Sequence, residues 1–195
     1  MLDSLNPKQQ EAVCAPLGPL LVLAGAGSGK TRVIVQRIAW LINEHNVYPG
    51  QILSVTFTNK AAHEMKERLS AEVNLDINSM WVGTFHGLAY KMLRQNYQEV
   101  SLPEHFQVID SDEQLSILRR LMKQMEIDED NWPAKKAQYY INSKKDEGLR
   151  VGALVAQHTH ESVFIDIFRR YEEICMSEGL VDFAELLLRC YELLE

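Results

Sequence analysis

The chain contains the octapeptide Ala24-Gly25-Ala26-Gly27-Ser28-Gly29-Lys30-Thr31. It follows the apolar residues 19–23 and precedes a helical pattern, so the predicted order is strand, glycine loop and helix. This order is typical of a phosphate-binding P-loop. Ala24 stands where the usual pattern has its first glycine, and alanine is small enough for that position. The alternative is a glycine-rich turn that binds nothing.

The residue types of this loop have physical reasons. Small residues allow successive backbone N–H groups to turn inward around phosphate oxygens. A helix that begins near Gly29 directs the positive end of its dipole at the same anion. Lys30 is expected to reach the β- and γ-phosphates, and the Thr31 hydroxyl is expected to ligate Mg²⁺. Lys30 and Thr31 are therefore the candidate catalytic residues, and Thr31 is the candidate metal ligand.

Composition and charge limit the class of protein. The chain has 195 residues, of which 46% are hydrophobic and 24% are charged, as in ordinary globular domains. No run approaches the length of a membrane helix, the N-terminus has no signal-peptide pattern, and the odd number of cysteines predicts free thiols. The net charge is −7, with +1 on residues 1–100 and −8 on residues 101–195. Bulk charge therefore gives no support for nucleic-acid binding, which would need a local groove in the first half.

Residues 1–95 predict an α/β unit. Asn6 is a candidate cap for a short first helix, and apolar runs at 20–24, 52–57 and 80–85 are typical of buried strands. Each run is followed by helical spacing; the helix after the glycine loop is expected to place Ile34, Ile38, Leu41 and Ile42 on one face. The alternation of strands and helices predicts a parallel sheet covered by helices.

Residues 96–195 predict helices almost throughout. A short extended piece is expected at 106–110, and Ser111 with Gln114 has the spacing of a capping box. Further helices are predicted after Pro133, over 162–176, and after Asp182, which with Glu185 resembles another capping box. This half is therefore predicted to be a helical subdomain, appended to the α/β unit or inserted into it.

Several motifs occur in one order along the chain. They are Leu5-Asn6-Pro7-Lys8-Gln9, the glycine loop with Arg32, and the segments at 55–62, 82–86 and 179–187. Together they resemble the UvrD/Rep-type superfamily 1 DNA helicases over essentially the whole chain. The resemblance implies an α/β fold with an incomplete parallel-sheet P-loop NTPase (RecA-like) core at 1–95. It also implies an all-helical subdomain at 96–195, whose last helix leads back toward the core.

The resemblance also implies an ATP site. In the family a glutamine at the position of Gln9 reads the adenine edge, for which an amide offers both a donor and an acceptor; the alternative is that Gln9 only completes a helix cap. Arg32 is either a nucleotide contact or an exposed helix charge. The expected nucleotide-binding residues are Gln9, Ala24, Gly25, Ala26, Gly27, Ser28, Gly29, Lys30, Thr31 and Arg32.

The family uses two further segments to contact single-stranded DNA, and here they are Phe57-Thr58-Asn59-Lys60 and Thr84-Phe85-His86. Phe57 is expected to stack on a base, unless it is a core aromatic. Asn59 is a candidate helix cap as well as a phosphate contact, and a helix is expected to start near Lys60. A lone histidine such as His86 is more often structural, but its place in the motif series favours a DNA contact. The pairs Lys135-Lys136 and Lys144-Lys145 are predicted to be a solvated face, with contact to DNA phosphates as the alternative.

The implied function is the ATP- and single-stranded-DNA-binding N-terminal portion of an ATP-dependent 3′-to-5′ DNA helicase in DNA repair or replication. The acidic pair of Walker B and the arginine fingers of the family are not found, so we expect little ATPase activity from this piece. Asp110 is a weak internal alternative for the acidic strand motif. A stand-alone nucleotide- or DNA-binding module and a P-loop kinase are the alternative functions.

The resemblance further implies the cofactors ATP and Mg²⁺. The implied partners are single-stranded DNA, single-strand/duplex junctions, DNA repair proteins and the remaining helicase domains. No membrane partner is expected. The expected location is the bacterial cytoplasm, in association with the nucleoid.

Overall fold

The structure, a computed structural model, describes residues 2, 4–73, 77–156 and 158–195. The chain divides into two compact units, Met1–Leu88 and Ala89–Glu195, which we call unit 1 and unit 2. The boundary falls inside a helix. Among the helices of the described ranges, none is long and apolar enough to cross a membrane.

Unit 1 contains alternating helices and strands. In chain order the elements are α1 (Pro7–Val13), α2 (Lys30–His45), β1 (Leu53–Thr56), α3 (Asn59–Glu72), β2 (Trp81–Thr84) and the start of α4 (Phe85–Gln95). Short 3₁₀ turns at Pro49–Gln51 and Ile77–Ser79 precede the two strands. The second and third predicted strands are therefore confirmed, each slightly shorter than the sequence indicates.

The two strands of unit 1 run parallel. Leu53 is paired with Trp81 and Thr56 with Thr84, so the strands are in register and end together. Parallel strands need a crossover connection, which α3 provides. Loops that leave the carboxyl ends of neighbouring parallel strands lie at one edge of the sheet, where ligands commonly bind.

The predicted strand at residues 20–24 is not formed. The segment has no assigned secondary structure, and Leu21 and Leu23 are 82% and 86% exposed. A strand requires a hydrogen-bonded neighbour, and β1 and β2 are bonded to each other as a two-stranded sheet. The run has the apolar composition of a strand, but among the described residues it has no strand partner.

The core of unit 1 lies where α2 and α3 pack with the strands. The buried face of α2 carries Val35, Ile38, Ala39 and Ile42, at the spacing of one helical stripe. The predicted stripe was partly wrong, because Ile34 is 44% exposed. From the other elements the core includes Ile52, Met65, Leu69, Val73, Met80 and Val82.

Unit 2 is mainly helical, as predicted. After the end of α4 come β3 (Gln107–Val108), α5 (Ser111–Gln124), α6 (Ala134–Asp146), a 3₁₀ turn at Val151–Ala153, α7 (Thr159–Glu178), β4 (Leu180–Val181) and α8 (Phe183–Leu194). The short extended piece is confirmed as β3, and it pairs in parallel with β4. The larger of its two cores gathers residues of α5, α6 and α7 around Phe168 and Tyr171.

One of the two predicted helix caps of unit 2 differs from the prediction. The cap of α5 is Asp110, not Ser111: its Oδ1 accepts from the backbone N–H groups of Asp112 and Glu113, and Glu113 returns a bond to the Asp110 N–H. An aspartate with this reciprocal arrangement is an N-cap. The geometry therefore favours the cap over the metal-binding alternative for Asp110. Asp182 caps α8 as predicted, and its Oδ1 accepts from the N–H of Glu185 at 2.8 Å.

Candidate functional site

The glycine loop turns the chain from the exposed apolar run into α2. Gly27 and Gly29 have φ angles of 72° and 85°, in the left-handed region that favours glycine. Gly29 is the N-cap of α2, and its carbonyl accepts the first helical bond from Val33 at 3.0 Å. The positive end of the dipole of the 16-residue helix α2 therefore lies at the end of the glycine loop.

The Lys30 side chain folds back into this loop. Its Nζ donates to the carbonyl oxygens of Gly25 at 2.8 Å and Ala24 at 3.3 Å. The Ser28 hydroxyl donates to the same Gly25 carbonyl at 2.8 Å. An ammonium bonded to neutral carbonyls can exchange them for anionic oxygens, which form stronger charge-assisted bonds. A Cβ added at Gly25 or Gly27 would meet no atom within 4 Å, so space remains around the loop.

Gln9 lies directly beside the loop. Its Oε1 accepts from the Asn6 N–H at 3.0 Å, and its Nε2 donates to the Ser28 carbonyl at 3.0 Å. A Cβ added at Gly29 would lie 2.9 Å from this Nε2. The capping role of Gln9 is therefore observed, together with a contact to the loop that the sequence pattern did not indicate. The adenine contact stays a prediction.

A cavity of about 710 Å³ adjoins the loop. Its walls include Gln9 from α1, Ala24 and Gly25 from the loop, and Lys30 and Ile34 from α2. This volume is in the usual range of small-molecule pockets. Thr31 and Arg32 are in the first turn of α2 and are not among the wall residues.

The predicted DNA-contacting segments come together at the ends of β1 and β2. Phe57 follows β1 and is 88% exposed, and Phe85 follows β2 and is 49% exposed. Their ring centroids are 5.7 Å apart, with 47° between the ring planes. The core alternative for Phe57 is therefore wrong. An exposed aromatic pair at the carboxyl ends of two parallel strands can offer a ring face to a flat ligand.

The polar members of these segments lie at helix starts. Thr58 is the N-cap of α3 and accepts from the Ala61 N–H at 3.2 Å, so the helix begins at Asn59, one residue before the predicted start. Asn59 is not the cap. Thr84 accepts from the Gly87 N–H at 3.2 Å. Lys60 and His86 are exposed in the first turns of α3 and α4.

Unit 2 holds a buried ionic cluster that sequence reasoning missed. Lys145 was assigned to a solvated face, but it is 3% exposed, and its Nζ lies 2.7 Å from Asp182 Oδ2 and 2.9 Å from Glu185 Oε2. Arg150 and Arg189 contact the other oxygen of Glu185 at 2.7 and 2.6 Å. No periodicity indicated the pairing of Lys145 with Asp182 and Glu185, because Lys145 lies on α6 and its partners lie at the start of α8.

The cluster shifts the acidity of its members. Burial opposes ionisation of Glu185, but Lys145, Arg150 and Arg189 outweigh it and lower the pKa of this carboxyl to about 2. Burial also lowers the pKa of Lys145, yet Glu185 and Asp182 reverse the effect and leave that pKa raised. The ionised cluster is therefore a structural element of unit 2, stable near neutral pH.

Comparison with known proteins gives one consistent result. Residues 5–195 match the family model of the UvrD/REP helicase N-terminal domain. The chain is 53% identical over 194 residues to DNA helicase II of Escherichia coli, and 50% identical over 200 residues to DNA helicase II of Haemophilus influenzae. It is 36% identical over 197 residues to the ATP-dependent DNA helicase PcrA of Bacillus subtilis. These alignments cover 99–100% of this chain but only 27–28% of each relative.

Proposed function

We propose that this chain, which belongs to the UvrD/REP helicase family, supplies the ATP site and part of the single-stranded-DNA site of an ATP-dependent DNA helicase. The chain spans about 27% of the length of its relatives, so it corresponds to a fragment of such a protein. The single observation that carries the proposal is the loop geometry at residues 24–30. Two left-handed glycines, a helix start and a lysine ammonium converge there.

The loop fits a triphosphate by its donors. Backbone N–H groups at the start of α2 and the Lys30 ammonium favour an anion, and the 710 Å³ cavity beside them has room for a nucleoside. The Thr31 hydroxyl would hold Mg²⁺ together with oxygens of ATP, and the ion would neutralise phosphate charge. Gln9 lies on the wall of this cavity, where its amide can meet the base. Arg32 remains a proposed contact from the first turn of α2.

The DNA site is proposed at the Phe57–Phe85 pair. Single-stranded DNA is bound without sequence preference by aromatic side chains that stack on bases and by donors that contact phosphates. Phe57 supplies the exposed ring. The proposed polar contacts are Thr58, Asn59 and Lys60 at the start of α3, and Thr84 and His86 on either side of Phe85. The parallel register of β1 and β2 brings both segments to the same edge of the sheet.

The proposed activity of the whole protein is 3′-to-5′ translocation on DNA coupled to ATP hydrolysis, in DNA repair or replication. Its proposed partners are single-strand/duplex junctions and DNA repair proteins. Its proposed location is the bacterial cytoplasm, at the nucleoid. We further propose a RecA-like assignment for unit 1 and the helical-subdomain assignment for unit 2. On its own the chain is proposed to bind ATP with little turnover, because hydrolysis also needs an acidic metal ligand and arginine fingers.

Equilibrium binding of a fluorescent ATP analogue with Mg²⁺ tests the ATP site. Lys30→Ala should weaken binding at least tenfold, since it removes a charge-assisted contact worth more than ~1.4 kcal/mol. Lys66→Ala, which removes an exposed lysine on α3, is the matched control and should not change the affinity. Equal affinity for Lys30→Ala and wild type would contradict the site. Strong DNA-stimulated ATPase activity would contradict the proposed lack of turnover.

A further inference from the structure

The guanidinium of Arg37 connects α2 to the end of α1. Arg37 lies on α2, seven residues after Lys30. Its Nη1 donates to the carbonyl oxygens of Val13 and Ala15, each at 2.7 Å, and its Nη2 donates to that of Pro16 at 3.2 Å. One side chain of the α2 helix thus holds three carbonyls at the C-terminal end of α1 and just beyond it.

These carbonyls are a favourable target for a cation. The last carbonyls of a helix lack intrahelical partners and carry the negative end of its dipole. The planar fork of arginine can satisfy several acceptors at once, which a lysine ammonium cannot do in the same geometry. The guanidinium also lies 5.5 Å from the ring centroid of Trp40, so its own position is fixed from a second side.

The position of α1 determines the position of Gln9. With seven residues, α1 is too short to be stable alone, so its placement depends on tertiary contacts. Gln9 contacts the glycine loop through the Ser28 carbonyl, and the buried Val13 packs at the other end of α1. Without Arg37, the end of α1 would lose its hydrogen bonds to α2 and would be held there by packing such as that of Val13.

We propose that Arg37 is a positioning residue for the base-binding side of the nucleotide cavity. It fastens the end of α1 to α2 and thereby keeps the Gln9 amide on the wall of the cavity, which Arg37 itself also lines. This inference rests on the proposed ATP site. It predicts that loss of Arg37 weakens binding of the base but leaves the affinity for the phosphates unchanged, because, within the described residues, Arg37 makes no hydrogen bond to the glycine loop or to Lys30.

The test compares two ligands on the full chain by calorimetric titration: Mg·ATP, and Mg·tripolyphosphate, which lacks base and ribose. Arg37→Ala should weaken Mg·ATP binding roughly tenfold, as for the loss of one or two good hydrogen bonds, and should leave Mg·tripolyphosphate binding within about twofold. Gln9→Ala should show the same selective loss. Because both act through one contact, the double variant should be no weaker than Gln9→Ala alone.

Arg37→Lys keeps the positive charge and the alkyl chain but removes the planar guanidinium. It therefore tests the hydrogen bonds to the three carbonyls in a variant that is expected to fold normally. We expect the selective loss of Mg·ATP binding in this variant, with the circular dichroism spectrum unchanged. Equal weakening of both ligands by a folded Arg37 variant, or an additive double variant, would overturn the inference while leaving the ATP site intact. If wild type bound neither ligand, the proposed function itself would fail, and the inference with it.

Discussion

Replacement of Phe57 by alanine separates a DNA contact from a packing role. The ring is 88% exposed, so folding buries little of its surface. At roughly 25 cal/mol per Å² of buried apolar area, Phe57→Ala should lower the free energy of unfolding by less than ~1 kcal/mol. Loss of one base stack should cost ~1–3 kcal/mol of DNA affinity, which weakens the dissociation constant roughly 5–150-fold. The effect on DNA binding should therefore exceed the effect on stability.

Fluorescence anisotropy with a labelled oligothymidine measures this affinity, at one fixed salt concentration because phosphate contacts depend strongly on salt. Tyr139→Ala is the matched control: Tyr139 is a 77% exposed aromatic on α6, in unit 2, and is not assigned to DNA. Phe85→Ala should also weaken binding, with a larger loss of stability because that ring is half-buried. An unchanged dissociation constant for Phe57→Ala, or an equal loss of affinity for Tyr139→Ala, would contradict a DNA contact at Phe57.

Three further predictions concern stability and association. Lys145→Met should lower the free energy of unfolding by about 3–5 kcal/mol in a urea titration, because two buried carboxylates lose their shared cation. The control Lys144→Met, at a partly exposed lysine, should lower it by less than ~1 kcal/mol. Similar losses for the two variants would contradict a buried ion pair at Lys145. The pKa of Glu185 is lower in the folded chain than in the unfolded chain, so its carboxylate should stabilise the fold above about pH 4.5 and lose this effect as the pH falls toward 2. Thermal melts of Glu185→Gln as a function of pH should lack this part of the pH dependence. The exposed apolar side chains of Leu21 and Leu23 predict self-association of the chain, which the double variant Leu21→Lys/Leu23→Lys should reduce in light scattering; equal scattering by this variant and wild type would contradict the prediction.

Local chemistry made much of unit 1 predictable. The glycine loop could be read from spacing alone, because the left-handed angles at Gly27 and Gly29 require a residue without a Cβ. The strands at β1 and β2 followed from apolar runs with helices between them. The exposure of Phe57 could not be read in this way, because an aromatic at a strand end has the same pattern whether it faces solvent or core.

Non-local pairing set the limit of prediction. The run at 20–24 has the composition of a strand, but strand formation depends on a neighbour that the pattern does not name. The Lys144-Lys145 pair has the pattern of a solvated face, yet Lys145 is buried and its ammonium bonds the carboxylate of Asp182, 37 residues away. The carbonyls held by Arg37 lie 21 to 24 residues away, beyond any helical periodicity.

A crystal structure of this chain with a non-hydrolysable ATP analogue and Mg²⁺ would show directly whether the glycine loop binds the triphosphate. We expect the triphosphate inside the loop at residues 24–30, with the Lys30 Nζ moved from the carbonyls of Ala24 and Gly25 to phosphate oxygens. A structure in which both lysine–carbonyl bonds remain, and the nucleotide lies elsewhere or is absent, would contradict this expectation.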